Sequence, residues 1–321
     1  MADIITLTMN PAVDKSAYVE RVIPERKLRC GPPEYDPGGG GVNVARMIQR
    51  LGGAVEAVCA AGGLNGRHLA DLLQREHVAP RIIPIQGETR QNLAVYDRSA
   101  QHQFRFGMPG PRLHEAEWRK CLAAAFESDP KPRFLVASGS LPPGVPDDFY
   151  ARLARRAEEE GIRCIVDCAG EPLRLAVAQG VYLIKPNLRE FHAMIGEDIE
   201  GERLEERVKA LIDAGRSQVI VVSLGSAGVL AGWPGVVRTF AAPTVKIESK
   251  VGAGDSALAG VIVGLSRGYD LPNAVRLGLA SGAAAVMTPG SQLARPEDTQ
   301  RLFDMLRAAP KRRAADELRN P

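Results

Sequence analysis

Two glycine-rich segments lie where a helix is predicted to begin. Gly38 to Gly41 lead into a helical pattern that starts at Val42, and residues 252–254 read Gly-Ala-Gly ahead of an apolar helix through 261–265. Residues without side chains let the backbone approach a ligand closely. A helix N-terminus also presents free amides and the positive end of the helix dipole, which suit a phosphate. We therefore predict that the first segment faces a ligand and that the second forms an anion hole from the amides of Gly252, Ala253 and Gly254.

Asp255 follows the second segment directly and would lie in the first turn of that helix. An aspartate at this position often does no more than cap the helix. Capping does not require two preceding glycines, so the interpretation that we favour is a general base beside an anion hole, a combination suited to phosphoryl transfer. The motif G-x-x-x-x-G-K-[ST] is absent from the sequence, which excludes the P-loop route to the same chemistry.

The charge of the chain is nearly balanced. Lys and Arg number 41 and Asp and Glu 38 among 321 residues, which gives a formal net charge of +3. Part of the excess lies in residues 311–321, where we predict a solvated basic tail. The remainder gives no electrostatic support for a nucleic-acid partner, and the aromatic content of 5% does not favour stacking platforms for single strands. We expect small-molecule partners and no nucleic acid.

The cysteines and the apolar runs bear on the compartment. The five cysteines are an odd number without paired spacing, which is typical of reduced thiols in a chain of this length. No signal peptide is recognisable at the N-terminus. The longest charge-free stretch, 277–294, is broken by Pro289 and is predicted to be a buried helix and its exit. These features predict a cytoplasmic protein without a membrane span.

Beyond about residue 133, short apolar runs alternate with longer amphipathic ones. This alternation predicts a mainly parallel sheet with helices on both faces, and hence an α/β fold. The predicted strands, together with a first strand near the N-terminus, are 4–7, 134–137, 164–166, 181–184 and 219–222, and the predicted helices are 147–160, 171–178 and 202–214.

The first hundred residues contain two segments of another kind. Polar and apolar residues alternate along 18–35 and 92–106, which predicts half-exposed antiparallel strands. A small sheet with strands within about 14–36 and 89–107 would be well placed to act as a lid. The sequence contains no internal repeat and no long linker, so we predict a single domain over residues 1–310.

Five ordered motifs resemble those of the PfkB carbohydrate kinases, the ribokinase-like family, over residues 4–308. They are the glycine-rich segment that ends at Asn43, Ser-Gly-Ser-Leu-Pro-Pro-Gly at 138–144, Lys-Pro-Asn-Leu-Arg-Glu at 185–190, Ser-Leu-Gly at 223–225 and Gly-Ala-Gly-Asp at 252–255. Within the family, residues 8–14, 27–29 and 37–43 are most similar to those of the bacterial minor 6-phosphofructokinases.

The resemblance implies a three-layer α/β/α ribokinase-like core, a β-sheet lid that contributes to a homodimer, and the use of ATP with magnesium. It also implies that Asp255 takes the proton from an attacking sugar hydroxyl. Glu190, together with Asn187, would organise magnesium, largely through water. The residues expected to bind ATP are Lys185, Asn187, Ser223, Gly225 and Gly228.

Three cations predict that the acceptor already carries a phosphate. Lys27 and Arg29 are two residues apart in a predicted lid strand, so they would project from one face, and the resemblance adds Arg90. Ribokinases and nucleoside kinases, whose acceptors carry no phosphate, do not need such a set. We expect phosphorylation of fructose 6-phosphate at its C1 hydroxyl to give fructose 1,6-bisphosphate, with tagatose 6-phosphate or fructose 1-phosphate as alternative acceptors. The other expected substrate contacts are Asp14, which would bind sugar hydroxyls as in the family, and Gly39, Gly40, Asn43 and Ser138.

One position departs from the family pattern. Ser249-Lys250-Val251 stands where many members have an acidic residue or serine followed by threonine. Lys250 would either add a cation beside the ATP phosphates or crowd a potassium site that some relatives form, so potassium binding is left open. Lys250 also motivates an alternative of a different class, a catalytically silent sugar-phosphate sensor. A nicotinamide dehydrogenase is contradicted by the missing G-x-G-x-x-G fingerprint.

Overall fold

We describe residues 3–290 and 292–308 of the protein from a computed structural model. The strands are β1 (Ile4–Thr8), β2 (Ala12–Val19), β3 (Glu34–Gly38), β4 (Val55–Ala61), β5 (Ala79–Pro84), β6 (Arg90–Asp97), β7 (His102–Phe106), β8 (Phe134–Ser138), β9 (Arg163–Asp167), β10 (Val181–Ile184), β11 (Ser217–Ser223), β12 (Val229–Trp233) and β13 (Val236–Phe240). The helices are α1 (Gly40–Arg50), α2 (Gly63–Arg75), α3 (Glu115–Ala124), α4 (Phe149–Glu159), α5 (Glu171–Gln179), α6 (Leu188–Ile195), α7 (Glu202–Asp213), α8 (Ala253–Ser266), α9 (Leu271–Val286) and α10 (Pro296–Ala308).

The larger sheet has nine strands in the order β13-β12-β11-β10-β9-β8-β1-β4-β5. All neighbours from β5 to β11 pair in parallel, and only β12 and β13 add antiparallel pairs at one edge. The parallel sheet predicted from the alternation of apolar runs is therefore confirmed. Each strand predicted for this larger sheet, and each helix predicted between its strands, lies within one or two residues of an observed element, except that α9 begins earlier than the charge-free stretch suggested.

Both faces of this sheet are covered. Side chains alternate between the faces of a strand, so Phe134 and Val136 on β8 join one apolar cluster while Leu135 and Ala137 join the other. The first cluster includes buried residues of α1, α2, α8, α9 and α10, and the second those of α3 to α7. This is the three-layer α/β/α arrangement that the family resemblance implied.

A second sheet has four strands in the order β3-β2-β6-β7. Strands β3 and β7 pair antiparallel with their neighbours as predicted, but β2 and β6 pair in parallel. The prediction that the alternating segment 18–35 forms strands is wrong for most of its length, because 20–33 form a connection between β2 and β3 outside either strand. The alternation of polar and apolar residues does not by itself distinguish this connection from a strand. The connection contains proline and charged residues, and it lacks the pairing partners that a strand requires.

The carboxyl ends of the parallel strands meet at one edge of the larger sheet. Ser138 ends β8, Asp167 ends β9, Ser223 ends β11, and Lys185 directly follows β10. Open α/β sheets bind their ligands at this edge. Within residues 3–290 and 292–308, no helix has both the length and the hydropathy to cross a membrane. The predicted basic tail, 311–321, lies outside the described residues.

Candidate active site

The start of α8 is free of side-chain caps. Gly252 is the N-cap residue and adopts a φ of 71°, a left-handed conformation that glycine reaches without a steric penalty. No side chain of the described residues caps this helix, and Ser256 N is the first amide that bonds back to Gly252 O, at 2.8 Å. The amides of Ala253 and Gly254 are consequently available to an anion. The uncapped start of α8 is compatible with an anion hole, whose role in binding phosphate stays a prediction.

Asp255 does not cap α8. Its Oδ2 accepts a hydrogen bond of 2.9 Å from Asn43 Nδ2, which comes from α1. Burial and the nearby Asp167 carboxylate raise the pKa of Asp255 to about 6, against the opposing effects of Asn43 and Lys185. A carboxylate with this pKa accepts a proton more readily than an ordinary aspartate, and it remains charged at neutral pH.

Lys185 reaches the start of α8 from the neighbouring strand. Its Nζ lies 3.5 Å from Asp167 Oδ1, and a Cβ added to Gly254 would lie 3.4 Å from the same Nζ. The Lys185 and Asp167 side chains are both nearly buried. A cation is thus held beside the free amides of α8, where it can add to their effect on a phosphate.

Asp167 is a site residue that the sequence interpretation missed. Burial and the carboxylate of Glu190 raise its pKa, while Lys185 opposes the shift. Its position could have identified it from the sequence, because Asp167 ends a buried strand at the same edge of the sheet as Ser138 and Lys185.

The glycines at the start of α1 pack against the protein itself. A Cβ on Gly40 would lie 2.4 Å from Ser138 Oγ, and one on Gly38 would lie 2.2 Å from Asp14 Oδ2. No side chain of the described residues caps α1, whose N-cap is Gly39. The segment therefore brings Asp14, Ser138 and the free amides of α1 together. Close packing among the site residues is therefore a second reason for the glycines, in addition to the predicted contact with a ligand.

Asp14 lies on β2 and is oriented by its neighbour on β6. Asn92 Nδ2 donates to Asp14 Oδ1 at 2.7 Å, and Asn92 Oδ1 accepts from Met108 N at 3.1 Å. Burial raises the pKa of Asp14, and the Asn92 hydrogen bond and the Arg90 charge oppose this shift. Asn92 was missed from sequence, although the parallel register that pairs it with Asp14 makes it a direct neighbour.

The three predicted phosphate-binding cations have different surroundings. Arg90 is half-buried and donates to Asn10 O at 2.9 Å and to Met108 O at 3.1 Å. Lys27 and Arg29 are exposed in the connection between β2 and β3. The prediction that a strand projects Lys27 and Arg29 from one face is wrong, because neither residue lies in a strand. Their role in binding the substrate remains a prediction.

Asn187 and Glu190 form a reciprocal cap at the start of α6. Asn187 Oδ1 accepts from Glu190 N, and Glu190 Oε2 accepts from Asn187 N, each at 2.9 Å. Among the described residues, no group of three or more His, Cys, Asp or Glu side chains could hold a metal ion. The role of Asn187 and Glu190 in organising magnesium stays a prediction.

The remaining predicted nucleotide residues lie next to this cap. Ser223 N donates to Pro186 O at 2.9 Å, and Asn187 pairs with Ser223 in an isolated parallel bridge. The turn that follows is closed by a 2.8 Å bond from Leu224 N to Gly228 O, with Gly225 inside it. The turn therefore adjoins the edge that carries Lys185 and Asn187.

Comparison with known proteins covers nearly the whole chain. The model of the pfkB family of carbohydrate kinases matches residues 4–298. The chain is 43% identical over 304 residues to ATP-dependent 6-phosphofructokinase isozyme 2 of Mycobacterium tuberculosis (strain CDC 1551 / Oshkosh), covering 94% of this chain and 89% of that protein. It is 39% identical to the Escherichia coli (strain K12) protein of the same name, covering 95% and 99%.

Solved structures of the Escherichia coli phosphofructokinase-2 are similar in fold. The complex with fructose-6-phosphate has a TM-score of 0.90 and 38% identity, covering 96% of this chain and 100% of that one. The same enzyme is known in complex with potassium, with a TM-score of 0.92, and in a tetrameric inhibited form, with a TM-score of 0.89. With the family model matched almost from end to end, the chain belongs to the pfkB family of carbohydrate kinases.

Proposed function

We propose that this protein is an ATP-dependent 6-phosphofructokinase that converts fructose 6-phosphate to fructose 1,6-bisphosphate. The observation that carries the proposal is the position of Asp255, a half-buried carboxylate in the first turn of a helix whose first amides are free, with the cation of Lys185 nearby. The similarity to two proteins named as 6-phosphofructokinases supports the choice of substrate.

Each part of the site has a role in this reaction. Asp255 accepts the proton of the C1 hydroxyl as its oxygen bonds to the γ-phosphorus of ATP and the bond to ADP breaks. The amides of α8 and the ammonium group of Lys185 offset the charge on the transferring phosphoryl oxygens, which is the main demand of a loose transition state. Because these groups are fixed before the substrates bind, the site needs little reorganisation during transfer.

The acceptor is proposed to bind between the two sheets. Asp14, held by Asn92, would accept hydrogen bonds from sugar hydroxyls. Arg90, with Lys27 and Arg29 from the exposed connection, would bind the 6-phosphate. Gly39, Gly40, Asn43 and Ser138 complete the proposed sugar contacts.

A panel of acceptors tests this proposal. Purified protein with ATP and magnesium is assayed for product with fructose 6-phosphate, tagatose 6-phosphate and fructose 1-phosphate. We expect the highest kcat/KM with fructose 6-phosphate and the next with tagatose 6-phosphate. If fructose 6-phosphate were the poorest of the three, the assigned specificity would be wrong.

The rate is expected to fall in acid with a midpoint near pH 6. Only the deprotonated form of Asp255 accepts a proton, and its pKa is raised to about 6, so kcat/KM should decrease tenfold for each pH unit below that value. The measurement is kcat/KM for fructose 6-phosphate between about pH 5 and 8, with folding monitored by circular dichroism. A midpoint near 4, the ordinary aspartate value, would contradict the raised pKa of Asp255.

The donor and its metal ion fit the same edge of the sheet. ATP is proposed to lie along Lys185, Asn187, Ser223, Gly225 and Gly228. Magnesium, when bound to the phosphates, would neutralise part of their charge. Glu190 and Asp167 would hold water molecules of its hydration shell.

Potassium is proposed as an activating ion that binds near the start of α8. The Lys250 side chain is exposed and does not fill the interior of this segment, where Glu248 N and Ser249 N both donate to Val286 O. We expect higher kcat in potassium chloride than in sodium chloride at equal ionic strength. Equal rates in the two salts would remove potassium from the proposal and favour the alternative that Lys250 replaces it.

The second sheet is the proposed homodimer interface as well as the lid. Phe104 and Phe106 on β7 are exposed apolar side chains, which a second copy of the sheet would cover. A cytoplasmic location is proposed from the five free cysteines.

A further inference from the structure

Arg46 is a buried arginine on α1 that lies one turn after Asn43. Its side chain is 2% exposed, yet it is tied to four other groups. Nη1 donates to Pro37 O at 2.9 Å and to Asn43 Oδ1 at 3.3 Å, while Nε donates to Glu76 Oε1 at 2.8 Å. Nη2 pairs with Asp36 at 3.2 Å and also with Glu76. A buried guanidinium with this many fixed partners has one available orientation.

The orientation of Arg46 determines that of the Asn43 amide. Asn43 has an oxygen that accepts and a nitrogen that donates, and either end could face Asp255. Arg46 offers only donors and the Asp255 carboxylate only acceptors. With Arg46 on Oδ1, the nitrogen must face Asp255, as the 2.9 Å bond from Nδ2 to Oδ2 shows. The reverse orientation would set an amide oxygen against the carboxylate.

We propose that Arg46 is a positioning residue for phosphoryl transfer, which acts by holding the Asn43 amide so that it donates to Asp255. This inference rests on the proposed function, because it concerns the base of that reaction. The groups that hold Arg46 lie outside the catalytic groups. They are Pro37 O on β3 and the carboxylate of Glu76, which directly follows α2. Movement of the second sheet at β3 would therefore reach Asp255 through Arg46 and Asn43.

Several charged groups face Asp255 from other elements and must be held constant in a test. They are Asp167 and Lys185 from the ends of β9 and β10, and Asp14 from β2. Arg46 also faces Asp14 and opposes the rise of its pKa. A lysine at position 46 keeps the positive charge but cannot bond to Asn43, Pro37 and Glu76 in the same fixed geometry, so Arg46→Lys changes the hydrogen bond with the least change in charge.

The test measures the acid limb of the pH profile, which is the fall of kcat/KM as the pH decreases. It compares Arg46→Lys, Asn43→Ala and the double variant. Loss of the Asn43 hydrogen bond destabilises the charged form of Asp255, so Arg46→Lys should move the limb upward by about one pH unit and lower kcat about tenfold, with the KM for ATP unchanged. In the Asn43→Ala background the same substitution should have no further effect on the limb, because its route to Asp255 is gone.

Arg81→Lys is the matched control. Arg81 makes a similar set of bonds, to Glu56, Ala124 O and Ser128, on β5 away from the site. We expect this variant to lose thermal stability without a shift of the limb. An unmoved limb in Arg46→Lys, or an equal shift with and without Asn43, would overturn the proposal.

Two further measurements test the role of Arg46. If Arg46→Lys does not fold, Glu76→Ala removes the acceptor of Arg46 Nε, and the limb should move in the same direction; an unmoved limb again counts against the role. The pKa of Asp255 can also be followed by carbon-13 NMR of its carboxyl group, which needs no turnover. Absence of activity with fructose 6-phosphate would then contradict the proposed function alone, while an unchanged Asp255 titration in Arg46→Lys would contradict the role of Arg46.

Discussion

Asp255→Asn is expected to lower kcat by about a hundredfold or more while ATP binding is retained. Asparagine keeps an oxygen that can accept from Asn43 Nδ2, so the contact with α1 survives and the start of α8 is unchanged. Only the capacity to take a proton is lost. The measurement is steady-state turnover of fructose 6-phosphate together with the Kd of ATP.

Asp213→Asn provides the control for this variant. Asp213 is an exposed carboxylate paired with Lys209 on α7, far along the chain from the catalytic segment, and its amidation should leave kcat unchanged. Normal turnover in Asp255→Asn would remove the general base from the mechanism. A large rise in the Kd of ATP, with kcat intact, would indicate that Asp255 serves nucleotide binding instead.

Lys185→Met should lower kcat/KM by about a hundredfold, the usual scale for loss of one group that stabilises a transition-state charge. The ammonium group lies beside the free amides of α8, and it also lowers the pKa of Asp255. Its removal should therefore raise the pKa of Asp255 and move the acid limb upward. The pH profile separates the pKa shift of Asp255 from the loss of charge stabilisation. At pH values well above the acid limb, Asp255 is deprotonated and the rate reports only the loss of charge stabilisation.

The partner of Lys185 supplies a control for folding. Lys185→Met leaves the nearly buried Asp167 without its cation, which should destabilise the fold. Adding Asp167→Asn should recover thermal stability without restoring turnover. If the double variant recovered turnover as well, Lys185 would serve only to neutralise Asp167, and its assigned contact with phosphate would be wrong.

The parallel sheet was predictable because each strand is a short apolar run between amphipathic helices. This pattern defines β8, β9, β10 and β11 to within one or two residues. The uncapped start of α8 was predictable from another signal, because Gly252 and Gly254 lie where a helical run begins.

Contacts between distant residues could not be predicted in the same way. Asn43 and Asp255 are 212 positions apart, and only the packing of α1 against α8 brings them together. Arg46 lies in a helical pattern where an arginine is ordinarily exposed, and its burial depends on Asp36 and Glu76 from other segments. The placement of Lys27 in a strand failed because alternation alone does not supply a pairing partner.

Identification of the product is the decisive test of the proposed reaction. Purified protein is incubated with ATP, magnesium and fructose 6-phosphate, and the phosphorus-31 NMR spectrum is followed together with the ADP formed. We expect fructose 1,6-bisphosphate in equal amount to ADP, and a loss of both in Asp255→Asn. Binding of fructose 6-phosphate without either product in the native protein would contradict the proposed reaction and would identify a sugar-phosphate sensor instead.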